Sequence, residues 1–90
     1  MENTITWQIV LIDDEEDIRD VVSIVLEDAG FSVSTAENGE QGLFLCKTLS
    51  PQIVMTDIRM PGMDGIQVLQ MIKEKYPDIE VIVVRSEEHT

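Results

Sequence analysis

The sequence predicts an α/β fold built on a doubly wound parallel sheet. Four short apolar segments rich in β-branched residues alternate along the chain with three segments whose apolar residues recur three and four positions apart. This alternation is typical of βαβ units, in which a right-handed crossover containing a helix joins two parallel strands. A chain of 90 residues is long enough for one small domain with its own core.

The first strand and the first helix have the clearest patterns. Residues 9 to 12 (IVLI) are continuously apolar, as expected of a strand covered on both faces, and they are followed by the acidic run DDEED. Asp14 is the predicted N-cap of the next helix, and the acids after it suit the positive end of the helix dipole. Gly30 is the predicted stop signal. The apolar stripe of this helix, predicted to face the core, comprises Ile18, Val21, Val22, Val25, Leu26 and Ala29.

The remaining elements repeat the alternation. The polar and apolar alternation of FSVST predicts an edge strand, and the apolar runs IVMT and VIVV predict two more buried strands. In chain order we expect a strand at 31 to 35, a helix through Leu43, Cys46 and Leu49 that ends before Pro51, a strand at 53 to 56, a helix through Ile66, Leu69, Ile72 and Tyr76 that ends at Pro77, and a strand at 81 to 84.

Charge and composition narrow the classes of function. The 18 acidic and 6 basic residues give a formal net charge of -12, which argues against nucleic acid or an anionic membrane as partner and favours cations or basic partners. No apolar run approaches the ~20 residues of a membrane-spanning helix. The single cysteine, Cys46, cannot form an internal disulfide, and no basic leader followed by an apolar stretch opens the chain. We therefore expect a cytoplasmic location.

Three carboxylates follow predicted strands. Asp13 and Asp14 come directly after the first strand, and Asp57 comes after the third. Ligands of such sheets bind outside the carboxyl ends of the strands, so we expect these side chains to converge. Converging carboxylates stay ionised together if they share a cation, and oxygen-only ligands suit Mg²⁺. A carboxylate in such a site can attack phosphorus. The alternative is that these acids only cap helices and line solvated loops.

Three segments resemble the receiver domain of two-component response regulators: VLIDDEEDIRDVV, TAENGEQGL and PQIVMTDIRMPGMDGIQVLQMIK. The resemblance runs from about Ile9 to Val84. It implies a flavodoxin-like receiver fold with strand order 2-1-3-4-5, here incomplete because the chain stops after the fourth strand. For this chain we therefore expect four strands in the order 2-1-3-4 and three helices.

The resemblance also implies a function and a role for each acidic residue. Asp57 would be the phosphoacceptor, receiving a phosphoryl group from a histidine of a sensor histidine kinase, with Mg²⁺ as cofactor. Asp14 would be a direct Mg²⁺ ligand, Asp13 a ligand acting largely through water, and Arg59 a ligand through its backbone carbonyl. A receiver takes a phosphoryl group and is not a dedicated enzyme.

The turn RMPGMDG after Asp57 suits this site. Pro61 stiffens the turn, and Gly62 and Gly65 let it bend, so that its backbone stays close to the cation. In the resemblance Pro61 and Gly65 are turn residues, and the implied role of Asp64 is to cap the next helix.

The end of the chain departs from the family pattern. In the family a Ser or Thr ends the fourth strand and hydrogen-bonds the phosphoryl group, whereas Arg85 occupies that place here and Ser86 follows it. The lysine that ends the fifth strand in the family has no counterpart. We expect a receiver domain at 1 to 84 that lacks its last strand and helices, followed by a polar tail at 85 to 90 that is unlike the family.

This departure leaves an alternative function open. Without a fifth strand, residues 81 to 84 would form an unprotected apolar edge, and edges of this kind pair with other chains. We therefore expect a homo-oligomer formed through this strand. The alternative is a signalling-incompetent receiver remnant that folds by self-association or domain swapping. A phosphatase of the haloacid dehalogenase type is disfavoured, because the place of its general acid is occupied by Arg59.

Overall fold

A computed structural model of the chain describes residues 6 to 84, which form a four-stranded sheet with three helices. The elements are β1 (Gln8–Ile12), α1 (Glu16–Asp28), β2 (Ser32–Ala36), α2 (Gly39–Leu49), β3 (Ile53–Asp57), α3 (Gly65–Lys75) and β4 (Glu80–Val84). All neighbouring strands are parallel, in the order β2-β1-β3-β4. The predicted fold class, strand order and number of helices are confirmed. Residues 85 to 90, including Arg85 and Ser86, lie outside the described residues.

The junction between α1 and β2 shows why the predicted second strand starts one residue too early. Gly30, the predicted stop signal, has a left-handed φ of 104°. This bend lets the Phe31 N–H donate to the Leu26 carbonyl at 3.1 Å, so Phe31 belongs to the closing turn of the helix. The strand begins at Ser32, whose N–H donates to the Trp7 carbonyl at 2.9 Å.

The start of α1 differs from the prediction. Glu15, not Asp14, is the N-cap residue, and its side chain makes no capping hydrogen bond. Instead the Asp13 carboxylate accepts the Glu15 N–H at 2.9 Å. The predicted cap at Asp14 is wrong because the acid before it forms the local side-chain turn.

The other two helices begin with side-chain caps. The Asn38 side chain accepts the Gln41 N–H at 2.8 Å at the start of α2. At the start of α3, Asp64 and Gln67 form a reciprocal capping box with hydrogen bonds of 2.9 and 3.0 Å. The predicted helix-capping role of Asp64 is confirmed, and this cap fixes the end of the turn that follows Asp57.

Helices α2 and α3 pack on one face of the sheet and enclose the core. Right-handed crossovers in this strand order place α1 on the opposite face, because the chain moves from β1 to β2 in one direction and from β2 to β4 in the other. Cys46 is fully buried in this core, as expected of a small apolar residue on the stripe of α2. The buried cluster comprises Val10, Ile12, Ala36, Cys46, Val54, Met60, Val68, Ile72 and Ile79.

The other face is covered by α1 only in part. Within the described residues α1 contacts β1 and β2 but neither β3 nor β4. Val22 and Leu26 are half-buried against the sheet, and no residue of α1 is fully buried. The prediction that the whole apolar stripe of α1 faces the core is therefore wrong. Only one side of the stripe packs on β1 and β2, and the other side is not covered by the described part of the sheet. Its exposed members are Ile18, Val21, Val25 and Ala29, with Ile24 beside them.

Candidate functional site

The predicted acidic residues meet at the carboxyl ends of the parallel strands. Asp13, Asp14 and Asp57 each offer a carboxylate oxygen within 4.8 Å of the others. They meet because β1 and β3 are neighbours and Ile12 is in register with Thr56, so the residues after Ile12 and Thr56 emerge side by side. The structure thus brings together three of the residues predicted for a metal site.

The three carboxylates differ in exposure. Asp13 and Asp57 are both buried, at 8% of their full exposure, and Asp14 is exposed. A depression lined by Asp14, Glu37, Asn38 and Pro61 opens beside them. A buried pair with one exposed neighbour forms a site that a solvated ligand can reach from outside.

Burial raises the pKa of the Asp13 carboxyl, and the negative charges of Asp57 and Asp14 raise it further. Two contacts act in the opposite direction: the Glu15 N–H hydrogen bond and the positive charge of Arg19 both lower this pKa. The upward influences prevail. Ionised Asp13 therefore carries an unfavourable energy in the metal-free protein, which a cation among the carboxylates would relieve.

Arg19 on α1 is a site residue that the sequence pattern did not predict. Its Nη1 donates to the main-chain carbonyl of Asp13 at 2.6 Å, and its side chain is half-buried. It is the only basic residue among the acids at the start of α1, and this isolated positive charge is the signal that could have revealed it.

The turn after Asp57 is held close to the strand end. The Asp57 carboxylate accepts the Arg59 N–H at 3.3 Å, and the Arg59 residue is exposed. Gly62 has a left-handed φ of 80°, as expected of a residue that lets the turn bend. The Gly65 N–H donates to the Ile58 carbonyl at 3.1 Å.

Gly65 has a second, steric role that its predicted place in the turn did not indicate. It is buried, and a β-carbon added there would collide with the Asp57 carbonyl oxygen and lie 2.8 Å from the Ile58 Cα. Glycine is therefore required for the start of α3 to approach the end of β3 this closely. Pro61 lies exposed on the outer side of the same turn.

The donor set of the site suits a hard cation. The described cluster contains only carboxylates, with no thiol or imidazole, and oxygen donors of this kind bind Mg²⁺. The raised pKa of the Asp13 carboxyl is a second observation that favours a positive charge at this position. The residues present therefore fit Mg²⁺.

No helix among the described residues has both the length and the apolar character needed to cross a bilayer.

Comparisons with known proteins show which family the chain resembles. A family model described as "Response regulator receiver domain" matches residues 9–90. The DNA-binding transcriptional regulator NtrC of Klebsiella pneumoniae is 39% identical over 86 residues, which are 96% of this chain and 18% of that protein. The chain therefore spans about a fifth of the length of this curated relative.

Two solved structures are similar in fold and sequence. The response regulator protein TrrA of Thermotoga maritima, in complex with Mg²⁺ and BeF, is 33% identical with a TM-score of 0.87, over 93% of this chain and 73% of that one. A complex of the histidine kinase ThkA with TrrA matches with 33% identity and a TM-score of 0.86, over 93% of this chain and 72% of that one.

Proposed function

Because this chain belongs to the response regulator receiver domain family, we propose that it accepts a phosphoryl group on Asp57 from a histidine of a sensor histidine kinase, with Mg²⁺ as cofactor. The observation that carries this proposal is the convergence of the Asp13, Asp14 and Asp57 carboxylates within 4.8 Å. The residues that would hold the ion are these three acids and the backbone carbonyl of Arg59.

The proposed transfer is a single in-line displacement at phosphorus. An oxygen of the Asp57 carboxylate attacks the phosphoryl group, the bond from phosphorus to the histidine nitrogen breaks, and the imidazole leaves with the electron pair. Bound Mg²⁺ supplies neutralisation of the charge on the phosphoryl oxygens. The hydrogen bond from the Arg59 N–H orients the nucleophilic carboxylate. Asp57 is a suitable acceptor because it is buried at the strand end beside an open depression.

The kinase partner is supported by a similar protein. TrrA, at 33% identity, has been solved in complex with a histidine kinase. We propose that this chain takes a partner of the same class. We propose a non-enzymatic role. Against a phosphatase of the haloacid dehalogenase type, the residue two places after Asp57 is the exposed Arg59, which cannot act as a general acid at neutral pH. The formal charge of -12 supports a domain that binds neither nucleic acid nor membranes, and the lone buried Cys46 supports a cytoplasmic location.

Incubation with acetyl phosphate and Mg²⁺, followed by intact-mass spectrometry, tests the phosphoacceptor. We expect one phosphoryl adduct in the wild-type chain and none in Asp57→Asn. The matched control is Asp64→Asn, which removes a nearby negative charge but keeps an N-cap oxygen for α3. This control should be phosphorylated like wild type. A wild-type chain that stays unmodified would contradict the proposal and favour the receiver remnant.

Self-association is a second candidate property, and one feature of the sheet favours it. In the described part of the sheet β4 is an edge strand, and Ile82 and Val84 on it are 46% and 45% exposed. Ile82 is in register with Met55, and Met55 with Leu11, so Ile82 shares the sheet face on which α1 lies. Apolar residues at such an edge promote pairing with a second chain.

We propose that the chain forms homo-oligomers through residues 81 to 84. The formal charge of -12 on each copy opposes this association, and salt screens that repulsion. Sedimentation velocity at micromolar concentration should therefore show oligomers whose share rises with ionic strength. A folded monomer at all salt concentrations would contradict the proposal. If the chain associates and also resists phosphorylation, the signalling-incompetent remnant is the better description.

A further inference from the structure

We infer that Arg19 is a positioning residue that holds the loop between β1 and α1 in the geometry in which Asp13 and Asp14 bind a cation. This inference rests on the proposed function of the acidic site. Its basis is the hydrogen bond of 2.6 Å from Arg19 Nη1 to the main-chain carbonyl of Asp13, across six positions of the chain. The contact joins the first turn of the helix to the end of the strand.

Arg19 completes a set of three hydrogen bonds that hold Asp13 at its N–H, at one carboxylate oxygen and at its main-chain carbonyl. The Asp13 N–H donates to the Ala36 carbonyl of β2 at 3.1 Å. The Asp13 carboxylate accepts the Glu15 N–H at 2.9 Å, which leaves its second oxygen available for a ligand. The carbonyl of the same residue is held by Arg19. Loss of the last contact would free the peptide that joins Asp13 to Asp14, the exposed acid of the site.

The chemistry of the contact suits a positioning role. A guanidinium that donates to a carbonyl forms a charge-assisted hydrogen bond, which is stronger than one between neutral groups. The Arg19 side chain is half-buried, so water competes with this bond less than at an exposed position. The contact is made to the main-chain oxygen of Asp13 and therefore does not consume the carboxylate oxygens that a cation needs.

Arg19 has two opposite effects on the affinity of the site for Mg²⁺. Its positive charge repels a cation, so loss of the charge alone would tighten Mg²⁺ binding. Its hydrogen bond orders the loop, so loss of the bond would weaken Mg²⁺ binding. We expect the second effect to prevail, because outer contacts that orient metal ligands typically change metal affinity by about 10-fold or more.

Isothermal titration calorimetry of the full chain with Mg²⁺ shows which of the two effects prevails. Arg19→Met removes the charge and the donors but keeps an apolar stem, whereas Arg19→Lys keeps the charge and a donor. Lys47→Met is the matched control for net charge, since Lys47 is exposed in the last turn of α2, at the opposite end of the sheet. We expect about 10-fold weaker binding in Arg19→Met, partial recovery in Arg19→Lys and no change in Lys47→Met.

Unchanged or tighter binding in Arg19→Met overturns the inference and leaves the proposed function intact. An Arg19→Lys variant as weak as Arg19→Met would also overturn it, because the retained donor should restore part of the bond. Amide hydrogen exchange in the metal-free protein gives a second readout that does not depend on Mg²⁺. Exchange at the Glu15 N–H should become faster in Arg19→Met than in Lys47→Met, and equal exchange rates would overturn the inference.

A wild-type chain that does not bind Mg²⁺ would contradict the proposed function itself. In that case the amide exchange at Glu15 alone decides whether Arg19 orders the loop. The two failures are therefore distinguishable in one set of proteins.

Discussion

Substitution of Gly65 by alanine should destabilise the fold and disturb the acidic site together. A β-carbon at this position would collide with the Asp57 carbonyl oxygen and lie 2.8 Å from the Ile58 Cα and 3.0 Å from the Asp57 carbonyl carbon. Ordinary contact between carbon atoms is about 3.5–4.0 Å. The backbone at the end of β3 must therefore move by about 1 Å to accept the methyl group.

The expected loss of stability follows from these contacts. Overpacking costs about 1–3 kcal/mol, and the upper part of that range applies because the displaced atoms are backbone. Alanine recovers up to about 1 kcal/mol relative to glycine in a helix, which leaves a net loss of about 2 kcal/mol. For a domain of this size each kcal/mol lowers the Tm by about 4–8 °C, so thermal denaturation followed by circular dichroism should show a decrease of about 8–16 °C.

Gly62→Ala is the matched control for this prediction. A β-carbon at Gly62 meets no atom within 4 Å, so its cost is the left-handed φ of 80° alone, about 1 kcal/mol. The amide resonances of Asp57 and Ile58 should move in Gly65→Ala and stay in place in Gly62→Ala. A Gly65→Ala protein with a Tm within about 3 °C of wild type would refute the reasoning, because the collision would then have been absorbed at almost no cost.

Two further predictions concern charge and association. The raised folded-state pKa of Asp13 means that the metal-free folded protein binds more protons than the unfolded chain, so the Asp13 contribution to stability falls as pH rises from about 3.8 through the folded pKa. Chemical denaturation without Mg²⁺ should therefore show that Asp13→Asn is more stable than wild type at pH 7 and similar at pH 3, and equal stability at both values would contradict this. Ile82→Thr should weaken self-association in sedimentation velocity, while Ile66→Thr, which changes a residue of similar exposure on α3, should not. Equal effects of the two changes would exclude a specific role for β4.

The fold was largely predictable from local patterns. The alternation of apolar runs and helical stripes identifies every described element, and the crossover rules restrict how parallel strands can be ordered. The errors have local causes. Phe31 is of a residue type common in strands, but its N–H donates to the Leu26 carbonyl of the preceding helix. Asp14 is a good N-cap by residue type, but the turn made by Asp13 places the helix start one residue later.

The site was predictable to a different degree. The convergence of Asp13 and Asp57 follows from topology alone, because both end parallel strands that turn out to be neighbours. The contact of Arg19 could not be predicted in the same way, since its acceptor is a main-chain carbonyl that every residue possesses. The close approach at Gly65 is similar: a glycine signals freedom of the backbone, and only the packed structure shows that the missing side chain is what matters.

Mg²⁺ and monovalent salt should act on different parts of this domain. At the site, a bound cation offsets the repulsion between the buried acids Asp13 and Asp57, so Mg²⁺ should raise the Tm by binding only the folded chain. On the surface, monovalent salt screens the charge of -12 and brings apolar edges together. A titration with Mg²⁺ at constant ionic strength separates these effects. Stabilisation by Mg²⁺ that persists in Ile82→Thr but is lost in Asp57→Asn would show that the ion acts at the acidic site and not through association.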